Sequence, residues 1–265
     1  MTLLLAAVLT AEVAASAMPA VAEWQWESDP NICILFQTAD ERQEQLSIQV
    51  YPASNTTWLI VANLKATVAK PQPLTDVHVS FEPSGATIAS GRVELSDKKR
   101  NVPIVTLKID DPAFFSNLAR ATALRVSHSA LGEWRQPLRA TAPAVDALRA
   151  CEDSRLRNWG IDPVAWHAMR SPPMPLTPLP QLFTPDDYPP GYALNGVTGQ
   201  VVARLTVGTS GAVEKCVAIN PRVDVYFAEK ICGILKRRAR FRPATDNQGQ
   251  PIVGIYVTSA IFQME

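Results

Sequence analysis

The sequence predicts an α+β protein: an N-terminal β-rich domain closed by a helix, a proline-rich linker, and a C-terminal β-β-α-β domain. Three observations carry that reading. Short β-branched runs alternate with turn residues through residues 24–140. Five of the ten residues Ser171–Pro180 are proline, which neither a helix nor a central strand accepts. Beyond them the apolar period passes from 2 to 3.6 and back to 2 within residues 199–262. The expected divisions are a signal segment over 1–22, a β-rich domain over 23–162, the linker over 163–183 and the last domain over 184–265.

In the β-rich domain the strand candidates are Ile32–Phe36, Leu46–Tyr51, Trp58–Leu64, Val77–Phe81, Arg92–Leu95, Val102–Ile109 and Leu124–Val126. Pro71-Gln72-Pro73, Pro83-Ser84-Gly85 and Asp97-Lys98-Lys99 punctuate them as loops. A short helix is expected after Asp110-Asp111-Pro112, where proline suits the first helical position. Val145, Leu148, Cys151 or Glu152, and Leu156 recur at helical spacing, so Pro143 to about Asn158 is a helix that Trp159-Gly160 ends. The linker reads as a polyproline-type spacer. Twenty residues at about 3.1 Å each reach about 60 Å.

In the last domain Gly199–Val207 sets Val201, Ala203, Leu205 and Val207 against Val202, Arg204 and Thr206. Thr209-Ser210-Gly211 turns the chain into an antiparallel Ala212–Ile219. Val223–Arg238 follows as a helix burying Phe227, Ile231, Ile234, Leu235 and Ala239. Pro243 ends it, and Gly249-Gln250-Pro251 turns into a final strand, Ile252–Phe262.

Leu3–Leu9 is apolar, and Ala20-Val21-Ala22 offers a small-x-small cleavage site, so a cleavable secretory signal is expected. The alternative is an N-terminal inner-membrane anchor. Export to an oxidising compartment makes the four cysteines disulfide candidates. Of three possible pairings, Cys33–Cys151 and Cys216–Cys232 each close a loop within one domain; four free thiols remain the alternative if the chain is not exported. Closing the loop from residue 33 to residue 151 stabilises by roughly 4–5 kcal/mol on chain-entropy grounds. Strict alternation places Cys216 opposite Val213, Val217 and Ile219. The second bridge therefore needs a bulge or a different face assignment.

The 25 basic and 25 acidic residues cancel, so no net field draws the chain to nucleic acid or anionic lipid. Lys236-Arg237-Arg238, Arg240 and Arg242 form the densest cluster, and they complement a helix C-terminus. His78, His128 and His167 lie in separate segments. Gly208-Thr209-Ser210-Gly211 joins two strands, where a nucleophile elbow needs a strand-to-helix turn. Asp110-Asp111 and Asp186-Asp187 read as caps and turns. Asn55-Thr56-Thr57 is a glycosylation sequon from which nothing is drawn. No metal site, cofactor or small-molecule substrate is expected, and the chain reads as a non-enzyme, with an active site somewhere in 24–160 as the weaker alternative.

Tyr188-Pro189-Pro190, Gly199-Gln200-Val201-Val202, Ser210-Gly211 and Arg240-Phe241-Arg242-Pro243-Ala244 follow one another at a spacing that resembles the C-terminal domain of the TonB family of periplasmic energy transducers. Ala193 falls in the short segment after the Tyr-Pro motif, and Gly249-Gln250-Pro251 matches the turn before the last strand. The resemblance covers residues 184–265. It implies a module that binds proteins: family members catch an extended segment of an outer-membrane receptor, which adds to a sheet edge. The edge expected to bind peptide is Gly254, Ile255, Tyr256, Val257, Thr258, Ser259, Ala260, Ile261 and Phe262. A full transducer keeps an N-terminal membrane helix that engages an inner-membrane motor, and has a long spacer. A cleaved signal and a span of about 60 Å depart from that plan, so the alternatives are a periplasmic adaptor for TonB-dependent transport or a soluble scaffold, uncoupled from transport, that forms a homodimer or binds another envelope protein.

Overall fold

A computed structural model of the chain describes residues 23–38, 45–54, 57–62, 77–85, 87–89, 92–93, 104–109, 111, 113–128, 132–195, 199–220 and 224–262. The expected signal segment, the loops at 71–73 and 97–99, Asp110, Pro112, Val223 and the first two sequon residues lie outside these. The architecture is mixed, mostly strands with few helices. Among the described residues no helix is long and apolar enough to cross a membrane.

The N-terminal part contains strands β1 (Gln25–Ser28), β2 (Cys33–Thr38), β3 (Gln45–Val50), β4 (Thr57–Ala62), β5 (His78–Glu82), β6 (Thr87–Ala89), β7 (Arg92–Val93) and β8 (Ile104–Ile109). Helix α1 (Phe114–Leu118), β9 (Ala123–His128), β10 (Gly132–Pro137), α2 (Thr141–Asn158) and α3 (Pro163–His167) follow. One antiparallel sheet runs β1-β2-β3-β4-β8-β7 and a second runs β10-β9-β5-β6. Strand alternation sends one row of the first sheet inward, because Leu35 pairs with Ile48, Ile48 with Leu59 and Leu59 with Leu107. All four are at most 1% exposed and share a core with Val79, Phe81, Leu124 and Val126 of the second sheet. Phe114 of α1 and Val145, Leu148 and Cys151 of α2 close this core. Gly160, at φ +77°, ends α2 as expected. The short strands β1, β6 and β10 carry too little alternation to be read from sequence alone.

The remainder holds β11 (Met174–Pro175), two 3-10 turns (Leu179–Leu182 and Pro185–Asp187), α4 (Pro190–Leu194), β12 (Gly199–Val207), β13 (Val213–Ala218) and α5 (Val225–Arg238). The short pieces β14 (Phe241–Arg242), β15 (Ala244–Thr245) and β16 (Pro251–Ile252) precede β17 (Gly254–Phe262). The main sheet is β13-β12-β17. Val201, Ala203, Leu205 and Val207 of β12 pack on Phe227, Ile231 and Leu235 of α5, whose N-cap Asp224 accepts from Phe227 N at 3.0 Å.

The other face of this sheet is buried too. Val202, Ile219 and Val257 form a small core with Ile32, Ile34 and Tyr51 on the outer face of the first N-terminal sheet. The Arg204 guanidinium lies 4.5 Å from the centre of the Trp159 ring, whose indole N–H donates to Asn31 Oδ1 at 3.2 Å. The layers therefore stack as sheet, core, sheet, small core, sheet, core and helix.

Both disulfides form as paired above: Cys33–Cys151 pins α2 to β2, and Cys216–Cys232 pins β13 to α5. The face problem at Cys216 is solved in two ways at once. Between Thr206 and Val207 the β12–β13 register shifts, so Thr206 faces Lys215 while Val207 faces Val213, leaving Glu214 as the extra residue. Val213 and Cys216 thus both look toward α5. Val217 and Ile219 look the other way, into the small core.

The proline-rich segment is not a free spacer. Arg170 N donates to Thr245 O, Thr245 N to Ser171 O, and Leu176 N to Arg240 O at 2.9–3.0 Å. Met174 and Pro175 of β11 pair with Arg242 and Phe241 of β14. Prolines fit because they sit in an edge ladder where the N–H groups in use belong to their neighbours. Leu179 is 7% exposed in the α5 core, whereas Leu176 is 62% exposed. Replacing Leu179 by alanine is therefore expected to cost about 2–5 kcal/mol, and Leu176→Ala less than about 0.5 kcal/mol, by urea denaturation of the whole chain. Equal, small costs at both positions would make the segment a spacer after all.

Candidate functional site at the sheet edge

Strand β17 pairs with β12 along its whole length, from Gly199 opposite Phe262 to Val207 opposite Gly254. Its other side takes no strand among the described residues. Side chains alternate about this edge. Tyr256 and Ala260 point to α5, while Ile255 and Val257 point to the N-terminal sheet; those of Ile261 and Phe262 lie outside the description.

A groove flanks the edge on each face of the sheet. On the α5 face a groove of about 400 Å³ is walled by Leu179, Phe183, Tyr188, Leu235 and Ala260. On the other face a groove of about 280 Å³ is walled by Tyr51, Ser54, Trp58, Lys108 and Val257. Thr258 and Ser259 border both, as do Leu179 and Pro180 across from them. The turn at Leu179–Leu182 thus stands beside the edge, but no backbone hydrogen bond joins it to β17 among the described residues.

The far wall is fixed electrostatically. Asp187 accepts from Arg238 Nη1 at 2.5 Å and Nη2 at 3.1 Å, and from the Thr184 amide at 2.8 Å and hydroxyl at 3.0 Å. The same Arg238 Nη1 reaches Leu182 O at 2.7 Å. The Arg238 guanidinium holds the Asp187 carboxyl down at about 2, with help from Thr184 against the cost of desolvation. Arg240 donates to the carbonyls of Arg237 and Ala239. These two members of the basic cluster therefore close the end of α5.

The motif residues of the last domain build this frame but do not line the edge, Tyr188 excepted. Its ring meets Phe227 edge-on at 6.3 Å between centres. Pro189 is buried. A Cβ on Gly199 would drive into the Phe227 ring. Gly211, at φ +79°, accepts from Phe241 N, and a Cβ there would strike the Phe241 carbonyl. Phe241 packs edge-on against Tyr256 at 5.2 Å. Pro243 is half-buried, and buried Ala244 leaves no room for a Cβ on Gly254. Sequence reasoning missed the grooves. Leu179 and Phe183 could have been suspected as apolar residues between prolines; Tyr51, Trp58 and Lys108 carry no local signal.

Elsewhere Glu152, Asp153 and His167 come together where α2 meets α3, with His167 Nε2 2.8 Å from Asp153 Oδ1. Burial lifts the Glu152 carboxyl to about 7, with His167 opposing. Neither groove includes these residues, and no set of three or more His, Cys, Asp or Glu suited to a metal occurs among the described residues. Asp111 Oδ1 accepts from Ala113 N at 2.8 Å in the turn before α1, but the N-cap of that helix is Ala113, without a side-chain cap, so Asp111 is a turn residue and not the expected helix cap.

Two pH effects follow with opposite signs. Asp187 is depressed from 3.8 to about 2, so its hold on residues 184–188 is full above pH 4 and is lost as pH falls toward 2; amide exchange at Asp187 and Tyr188 checks this, and release already complete near pH 4 would mean that the ion pair is not formed. Glu152 is raised from 4.5 to about 7, so its contribution is full below about pH 4.5 and is lost as pH rises through 7. Glu152→Gln is expected to stabilise the chain at pH 8 and leave it unchanged at pH 4, measured by thermal unfolding at both.

Compared with protein-family models, curated proteins and solved structures, the chain matches none.

Proposed function

We propose that this chain is a TonB-like periplasmic binding protein whose last strand captures an extended segment of another envelope protein, an outer-membrane receptor in the family reading. The observation that carries this is the outer edge of β17: nine residues long, with no neighbouring strand among the described residues and bordered by a groove on each face. An edge presents backbone N–H and C=O groups that an incoming strand satisfies without requiring particular side chains. Binding, and not catalysis, is what such an arrangement does. The motif run from Tyr188 to Ala244 supports the family assignment, and two disulfides fit an oxidising compartment.

A second reading, a soluble scaffold not coupled to transport, draws on the small core at Val202, Ile219 and Val257. A module fastened to its own N-terminal sheet is suited to presenting a fixed edge, whereas a transducer must carry its module across a distance.

The test of the binding reading is a titration of the whole chain with ten-residue N-terminal segments of outer-membrane receptors, following amide exchange. The expected result is protection confined to alternate amides of residues 254–262, with a dissociation constant of about 10 µM to 1 mM, abolished when alternate peptide amides are N-methylated. Absence of binding at millimolar peptide, or protection elsewhere, overturns it.

A further inference from the structure

We propose that the two-stranded ribbon of β11 and β14, with the last turn of α5, is a landing face for an anionic phospholipid bilayer. It lies apart from the β17 edge and does not depend on strand addition there.

The charge is concentrated locally. The chain as a whole is neutral, yet residues 230–245 hold the cations Lys230, Lys236, Arg237, Arg238, Arg240 and Arg242 and no acidic residue. Residues 170–183, laid against them by the β11–β14 ladder, add Arg170 and again no acid. Asp187 neutralises Arg238. Arg240 directs Nη1 to the carbonyls of Arg237 and Ala239, which hold the guanidinium without cancelling its charge. Lys236, Arg237 and Arg242 are exposed and enter no ion pair among the described residues. The acids that balance the chain lie elsewhere, so the field at this end is positive.

The ribbon places apolar side chains among these cations. Paired residues of an antiparallel ladder share a face, and successive pairs alternate. Met174 pairs with Arg242 and Pro175 with Phe241, and Leu176 N continues the ladder to Arg240 O at 2.9 Å. Phe241, 3% exposed, turns inward to the α5 core, with Pro175 half-buried on the same side. The outward pairs are therefore Met174 with Arg242 and Leu176 with Arg240. Met174 is 54% exposed and Leu176 62%. A bilayer surface receives both kinds of group at once: the cations stay at the phosphate level while the alkyl tips pass below it. Nucleic acid would call for exposed aromatic side chains to stack on bases, and Phe241 faces the other way. An acidic protein would satisfy the arginines but gives no reason for two aliphatic side chains between them.

The experiment is sedimentation of the whole chain with phosphatidylcholine vesicles, with and without about 30% phosphatidylglycerol, at about 0.1 M salt, where charges act over about 10 Å. Binding is expected to the anionic vesicles, not to the neutral ones, and is expected to be lost at about 0.5 M salt. Each cation near an anionic leaflet raises partitioning about fivefold, so the triple variant Lys236→Gln, Arg237→Gln, Arg242→Gln is expected to lose about a hundredfold. Met174→Ser with Leu176→Ser is expected to lose about tenfold at unchanged Tm. A control triple of exposed cations elsewhere, Arg120→Gln, Arg157→Gln, Lys215→Gln, is expected to lose less than about threefold. Equal loss in the two triples would refute the location, and unchanged partitioning of the serine variant would refute the ribbon as the contact. No binding of the unsubstituted chain to anionic vesicles would refute the proposal outright. Binding to soluble polyglutamate in place of vesicles, weakened by the first triple, would assign the face to an acidic protein and refute the lipid assignment.

Discussion

The structure depends on the double burial of one three-stranded sheet. On one face α5 supplies Phe227, Ile231 and Leu235; on the other the N-terminal sheet supplies Ile32, Ile34 and Tyr51. Each fully buried aliphatic or aromatic side chain contributes about 1.5–3 kcal/mol. The Arg204–Trp159 contact, at about 0.5–2 kcal/mol, is the smaller term. Its role is orientation, since apolar surfaces do not fix the angle at which two sheets meet. Burial pulls the Arg204 guanidinium pKa down, which sets a desolvation cost against part of that contact. With both faces covered, the means left to this sheet of meeting another protein are its edges.

An open edge is also a hazard. Ile255, Val257 and Thr258 belong to a strand that would pair indiscriminately if left bare, and natural sheets blunt such strands with proline, charge or cover. Here the cover is the segment around Pro178 and Pro180. Proline has no N–H to donate, so this stretch can stand beside the edge without becoming a fourth strand. The space between becomes a groove on each face instead of a closed ladder. The same residues thus reduce unwanted pairing and shape the approach of a wanted guest. Asp187 and Arg238 hold that cover in position.

How far the sequence revealed this follows from the range of each interaction. Strands β2, β3, β4, β7 and β8 of the first N-terminal sheet, α2, the β12–β13 hairpin, α5 and β17 are set by local periodicity, turns and caps, and they lie where the sequence puts them to within a few residues. Both disulfide pairings were legible because each cysteine pair belongs to one core. The bulge at Glu214 was legible as a conflict, since Cys216 could not otherwise face Cys232. What the sequence did not show is long-range. Nothing near Val217 or Val202 says that their face meets Ile34, and a surface that is apolar for packing looks the same as one that is apolar for binding. The proline-rich run was misread because composition reports what a segment cannot form, not where the next segment will hold it. The edge residues 254–262 were named from sequence, whereas half of the groove walls come from elements more than sixty residues away.

That distribution argues that the candidate site is a property of the whole chain and not of its last eighty residues. Removing residues before 184 would take away Leu179 and Pro180, the wall shared by both grooves, together with Tyr51, Trp58 and Lys108. It would also bare Val202, Ile219 and Val257, which are at most 6% exposed in the whole chain, and so present a new apolar face beside the edge. A sheet with one bare face and an open edge pairs with copies of itself more readily than with a guest. The tethering of both flanks, by Cys216–Cys232 on one side and by Asp187–Arg238 on the other, has the reverse effect. It sets the groove walls before the guest arrives, so less ordering is required at binding. The N-terminal part therefore matters to recognition even though it carries none of the motif residues, because it covers the sheet face that would otherwise compete with the edge.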